Sequence, residues 1–167
     1  QISADARYAI HSFENAQTPR RISLIDLSTH KEIKLLEDNT ALKARISELG
    51  LRPKEFIKVD IGPVVLDAWM IKPIQFDPQK KYPVIFHVYG EPAGSTVQDN
   101  WGAGDNMWHQ YLANELGCIV ISVDNRGTKV PRGREFRKCI YRQIGLLAAD
   151  DQAAAAKKIM QTYSFID

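Results

Sequence analysis

Nowhere in the 167 residues does G-x-S-x-G occur, so none of the serines sits in the strand-to-helix elbow that turns a serine into an exposed nucleophile. Cysteine is scarce: Cys118 and Cys139 are the only two, with no C-x-x-C, and both read as buried free thiols rather than as a disulfide framework. The four histidines are scattered, and no His or carboxylate cluster has ligand spacing, so neither a metal nor a cofactor is expected. No apolar run reaches the roughly 18 residues a membrane span needs, so no membrane segment is expected. The opening QISADARYA lacks the charged-then-apolar pattern of a signal peptide. It has the look of a truncation, which leaves export open. A formal net charge of +2 is too small to argue by itself for nucleic acid or anionic lipid.

What is present is the composition of an ordinary soluble core, 44% hydrophobic and 25% charged. Short alternating runs at Arg7 to Phe13, Arg21 to Leu27 and Glu32 to Leu36, separated by the turn-rich ENAQTPR and STHK, predict an antiparallel sheet of the propeller-blade kind. Three such strands are too few for a stable module. In EDNTALKARISELG, Asp38 or Asn39 can cap a short helix, Leu42, Ile46 and Leu49 fall on one face, and Gly50 stops it. Phe56 to Ile61 and Val64 to Lys72 follow as a hairpin joined at Gly62 and Pro63, with Ile57, Val59 and Ile61 facing one way. The pattern then changes, because Val84 to Val88 and Ile119 to Val123 are continuous apolar runs, as in parallel strands covered on both faces. Between them Trp108, Tyr111, Leu112 and Leu116 form a helical stripe, which predicts a strand, helix, strand crossover. Two more helices are predicted, near Arg134 to Tyr141 and from Asp150 to Tyr163, the latter with Ala156, Ile159, Met160 and Tyr163 on one face.

Two loops stand where open α/β sheets carry their functional groups, at the ends of the apolar strands. In YPVIFHVYGEPAG a buried strand delivers the phenol of Tyr89 to a Gly/Pro-rich turn. A fixed donor in that place can meet a developing oxyanion without reorganisation, and a tyrosine there can equally be a half-buried anchor. Ser95, in AGSTVQ, is the serine nearest to a loop nucleophile, but no glycine turn follows it. His87 lies inside the strand and His109 on the helix, neither with an acid at an orienting spacing. In DNRGTKVPRG, Asp124 and Arg126 read as pins that fix the loop by charge-assisted hydrogen bonds. Arg126, Lys129, Arg132, Arg134, Arg137, Lys138 and Arg142 crowd this region against Glu135 alone. With no binding motif and a near-neutral total, they read as a solvated or domain-facing face, with no nucleic-acid partner.

Four segments, in order, resemble the dipeptidyl peptidase IV branch of the prolyl oligopeptidase-type serine peptidases. SADARY is similar to a late propeller blade, and LEDNTALKARISELGL to the link that follows it. WMIKPIQFDPQKKYPVIFHVYGEPAG is similar to the first hydrolase strands and oxyanion loop, and DNRGTKVPRGREFRKCIYRQIGLLAADDQAAAA to the D-x-R-G loop, the arginine-rich helix and the helix before the nucleophile. The resemblance implies an α/β fold in which a partial α/β-hydrolase sheet follows an antiparallel segment from a propeller edge. Its implied divisions are 1–37 propeller, 38–53 linker helix and 54–167 the first half of the peptidase domain. It makes Tyr89 an oxyanion-hole donor and the only catalytic group in the chain, with a peptide as the substrate of the full-length protein. The nucleophile elbow is expected shortly after Asp167 and the triad Asp and His later, so the isolated chain is expected to be inactive. The implied activity is removal of N-terminal dipeptides with Pro or Ala second, through an acyl-enzyme. Glu91 stands where many relatives are expected to carry a small residue. A periplasmic or extracellular location and a homodimer are further expectations, since an incomplete sheet should self-associate. The competing reading is a non-catalytic module that pairs through an exposed sheet edge.

Overall fold

A computed structural model describes the backbone of residues 1–167 and every side chain except those of residues 103 and 104. Its contacts divide the chain into two units, Gln1–Leu51 with Asp99–Asn106, and Arg52–Gln98 with Met107–Asp167. In the first unit β1 (Tyr8–Asn15), β2 (Thr18–Asp26) and β3 (Glu32–Glu37) form an antiparallel sheet in chain order. Register follows the alternation, with Ile10 opposite Leu24 and Ser12 opposite Ile22. The turn into β3 is built on Asp26, whose Oδ1 accepts from the Ser28 hydroxyl at 2.6 Å and from the Ser28 and Thr29 amides at 2.8 and 2.9 Å. These bonds, the Ser28 hydroxyl foremost, hold its carboxyl at about 2.

Helix α1 spans Thr40–Glu48, and its apolar stripe is not buried: Leu42 and Leu49 are exposed and Ile46 half-buried. Its entry also differs from a simple cap. Asp38 accepts from the Thr40 amide at 2.9 Å, while Asn39 adopts a left-handed conformation and donates to the Arg20 carbonyl at 2.5 Å.

The second unit is built on β4 (Glu55–Asp60), β5 (Val65–Ile71), β6 (Val84–Phe86) and β7 (Ile119–Asp124), in the sheet order β4-β5-β7-β6. The β4/β5 and β5/β7 pairs are antiparallel and β6/β7 is parallel. Helix α2 (Ala103–Glu115) lies between β6 and β7 in the chain, and α3 (Gly133–Lys138) and α4 (Ile144–Thr162) follow β7. The continuous apolar run of β7, and the burial of both faces of its neighbour β5, are explained by two separate cores. Leu66, Ala68, Met70, Ile119, Ile121 and Val123 pack with Ala155 and Ile159 of α4, whereas Trp69, Ile71 and Val120 pack with Ala113 of α2.

Several expectations are corrected. Regular pairing in β6 ends at Phe86, and its residues are half-buried rather than buried because β6 is an edge strand. A parallel bridge between Tyr82 and Ile166 begins to cover that edge. Most of the stripe predicted on α2 faces solvent, Trp108 and Tyr111 being 57% and 55% exposed and Leu116 exposed too; Leu112 alone of the four packs on the core, and His109, Gln110 and Ala113 are buried. α3 ends at Lys138, short of Tyr141, and α4 starts at Ile144, six residues before Asp150. The buried face of α4 is Asp151, Ala155 and Ile159, and Met160 is exposed. Cys118 is a buried free thiol, whereas the free thiol of Cys139 is only half-buried.

Candidate active site

Because β6 and β7 run parallel, the loops that follow them emerge from the same end of the sheet. The first carries Tyr89. Beyond Phe86 the backbone still follows β7 for one residue, with the His87 amide donating to the Ile121 carbonyl at 2.8 Å, and then turns at Gly90. The loop folds back so that Gly94 lies against the Tyr89 ring. A Cβ at residue 94 would stand 3.0 Å from Tyr89 Cε1, closer than a side chain tolerates without the ring moving. Glycine at 94 therefore sets how near the loop comes to the phenol.

Asp124, at the end of β7, holds the remainder of this loop. Its Oδ1 accepts from the Thr96 amide at 2.8 Å and the Thr96 hydroxyl at 3.0 Å, and its Oδ2 from the Val97 amide at 3.1 Å. Thr96 also shares a 2.6 Å hydrogen bond with Ser122, which donates to the His87 carbonyl at 2.5 Å. A buried carboxylate needs such donors, and here they are the backbone of the neighbouring loop. One residue further, Arg126 reaches α4. Its Nη2 donates to Asp151 Oδ1 at 2.6 Å and its Nε to Oδ2 at 3.0 Å, while the Arg126 amide donates to Oδ2 at 2.9 Å. This bond to Asp151 raises the guanidinium further above its ordinary value. Asp124 and Arg126 are thus pins, as read from the sequence. Gly127 completes the motif by close approach, since a Cβ there would stand 2.6 Å from Ile140 Cγ2.

Tyr89 itself is 51% exposed at the end of this pinned scaffold. Glu91, by side-chain hydrogen bonding first and then by its charge, pushes the phenol above its ordinary value. The hydroxyl therefore stays protonated and able to donate throughout the neutral range. Glu91→Gln is expected to bring the ionisation back down, because a neutral amide no longer opposes the tyrosinate. In a tyrosinate absorbance titration corrected with Tyr89→Phe, the onset should move to lower pH. An unchanged onset would show that Glu91 does not act on the phenol.

The other candidates are not gathered around Tyr89. Ser95 Oγ accepts from Gln98 Nε2 at 3.0 Å. His87 and His109 pack ring to ring, 4.6 Å apart, beside Trp69. The arginine-rich segment lies largely on the surface, with Arg132 over the Phe136 ring at 4.4 Å. Unread in the sequence were Gly94, Asn125, Asp151 and Gln152. Only Asn125 carried a local signal, as the second residue of the D-x-R-G motif.

Comparison with known proteins bears directly on this arrangement. A model of the prolyl oligopeptidase family matches residues 105–167. The crystal structure of Porphyromonas gingivalis dipeptidyl peptidase 4 superposes on the whole chain with a TM-score of 0.92 at 39% identity, the chain covering 23% of it. The chain belongs to the prolyl oligopeptidase family. Within that family it falls in the dipeptidyl peptidase IV branch. It is 35% identical over 160 residues to a probable dipeptidyl peptidase 4 of Emericella nidulans, and 35% identical over 145 residues to prolyl endopeptidase FAP of Bos taurus. These alignments take in 94% and 87% of the chain but 20% and 18% of the relatives, so the chain spans about a fifth of their length. As in the family, the fold joins an antiparallel segment from a propeller to part of a hydrolase sheet. In this prolyl oligopeptidase-family chain, Tyr89 and the D-x-R-G loop stand at the ends of its two parallel strands.

Proposed function

We propose that the full-length protein is a serine exopeptidase that releases N-terminal dipeptides, with Pro or Ala in second place, and that Tyr89 stabilises the oxyanion of its acyl transfers. The observation that carries this reading is the half-exposed phenol at the carboxyl end of β6, whose ring lies against Gly94. A donor in that place can meet the charge as it develops, its single O–H turning from Glu91 to the oxyanion. The chemistry needs a nucleophile and a base as well. Two serines of the neighbouring strand and loop have other bonds, Ser122 donating to the His87 carbonyl and Ser95 Oγ accepting from Gln98 Nε2.

Groups that act as a unit lose nearly all their effect when one is missing. A polypeptide of these 167 residues alone is therefore expected not to react with a fluorophosphonate probe, whereas the full-length protein reacts at one serine. Labelling of the 167-residue polypeptide would overturn the assignment of Tyr89 as its only catalytic group.

A further inference from the structure

Asn125 lies between the two loops of the site and is fully buried. Its Nδ2 donates to two carbonyls, that of Gly90 at 3.1 Å and that of Arg126 at 2.8 Å. Its Oδ1 accepts from Gln152 Nε2 on α4 at 3.1 Å, and the same Gln152 nitrogen donates to the Val123 carbonyl at 2.8 Å. Both amide protons and the amide oxygen of Asn125 are therefore used. The Gly90 carbonyl belongs to the peptide between Gly90 and Glu91, so this bond fixes the plane of the turn that immediately follows Tyr89. Packing adds to it, because Asn125 Oδ1 stands 3.5 Å from where a Cβ on Gly90 would lie. The far end of the loop has its own tie, the Lys129 amide donating to the Gly94 carbonyl at 3.0 Å. Asp124 holds the later part of the Tyr89 loop through Thr96 and Val97, and Arg126 ties to α4, whereas Asn125 bonds to the Gly90 carbonyl beside the phenol itself.

We infer that Asn125 is a positioning residue for Tyr89: its carboxamide clamps the Gly90 peptide between the ends of β6 and β7 and so sets the direction in which the phenol points. The inference rests on the oxyanion reading of Tyr89. An aspartate would be a poor substitute, because both its oxygens are acceptors and two carbonyls would then face a carboxylate. Alanine would leave the Gly90 and Arg126 carbonyls without this donor and the turn free to rotate.

The test is a double-mutant cycle in the full-length enzyme with Asn125→Ala, Tyr89→Phe and the pair, read as kcat and KM separately. Asn125→Ala is expected to lower kcat by roughly 3- to 10-fold, the scale of one neutral hydrogen bond, with KM changed less than about twofold. In the Tyr89→Phe background the same substitution should cost less than about twofold, because the hydroxyl it would misdirect is already absent. Full additivity, or an Asn125→Ala enzyme at wild-type rate, would overturn the inference. If Tyr89→Phe is impaired and the losses add, the inference falls while the oxyanion reading stands. If Tyr89→Phe turns over normally, both fall. Should Asn125→Ala not fold, Gln152→Met removes the outer support and leaves the bond to Gly90 possible. Its loss of kcat must again depend on Tyr89, and additivity there would be equally decisive against the inference.

Discussion

Replacing Tyr89 by Phe is expected, on the oxyanion role proposed for it, to lower the turnover number of the full-length protein by about 10²- to 10³-fold, the effect of deleting one oxyanion donor. The substitution is a clean one. The ring that packs on Gly94 is retained, the turn at Gly90 keeps its bond to Asn125, and only the hydroxyl and its interaction with Glu91 disappear. A donor aimed at an oxygen that becomes charged in the transition state contributes little to the bound ground state, so KM should change much less than kcat. Peptide boronates and aldehydes, whose adducts carry a tetrahedral centre, should lose affinity in parallel with kcat, while substrate-like competitive inhibitors should not. Steady-state kinetics with a chromogenic dipeptide substrate measures the first part and inhibition constants the second. A rate within a few-fold of wild type would remove Tyr89 from the chemistry and leave it an anchor, the other role that a tyrosine at a strand end can fill.

Much of the scaffold could be read from residues alone, for reasons that differ from element to element. The register of β4 followed from Ile57 and Val59 facing one way against Lys58 and Asp60, and Val59 is indeed buried. β7 was visible as an unbroken apolar run because its two faces feed two cores. Helix phase was misread where burial is polar. The inner face of α2 holds Gln110, whose Nε2 donates to the Arg52 carbonyl at 2.8 Å, and Asn114 accepts from the Ile74 amide at 2.7 Å. Bonds to distant backbone leave no periodic apolar trace, so the apolar stripe shows the helix but not its buried face, which it shares only through Leu112. The same holds for α4, whose buried face begins with a carboxylate. At the site, Tyr89 was visible through the strand and turn around it, and Asp124 and Arg126 through their charge. The partners that fix them, Thr96, Asn125 and Asp151, come from chain-distant positions and become legible only once the fold brings them together.

Asp151 shows what such a distant partner contributes, and its removal is the second large effect expected. The carboxylate is 1% exposed and receives the Arg126 amide, Nε and Nη2. Truncation to Ala would leave a guanidinium that is three-quarters buried, together with a buried amide, without their acceptor. Breaking a buried pair from one side costs about 3–5 kcal/mol, more than the intact pair contributes over an apolar replacement, because the remaining charge is stranded. Asp151→Asn should lie between: the amide oxygen still accepts, but the opposing NH₂ faces the Arg126 donors and the charge is gone. Arg126→Met with Asp151→Leu should recover a large part of the loss, since neither side is then left charged, although the Arg126 amide stays unpaired. The order Ala least stable, Asn intermediate and double variant close to wild type, read from denaturation midpoints of the full-length protein, is the test. An Asp151→Ala midpoint equal to wild type would mean that the pair is no anchor. The consequence for catalysis then follows from the chain itself. Arg126 adjoins Asn125, which holds the Gly90 turn, so loosening α4 from this loop should reach the phenol of Tyr89 through two consecutive residues.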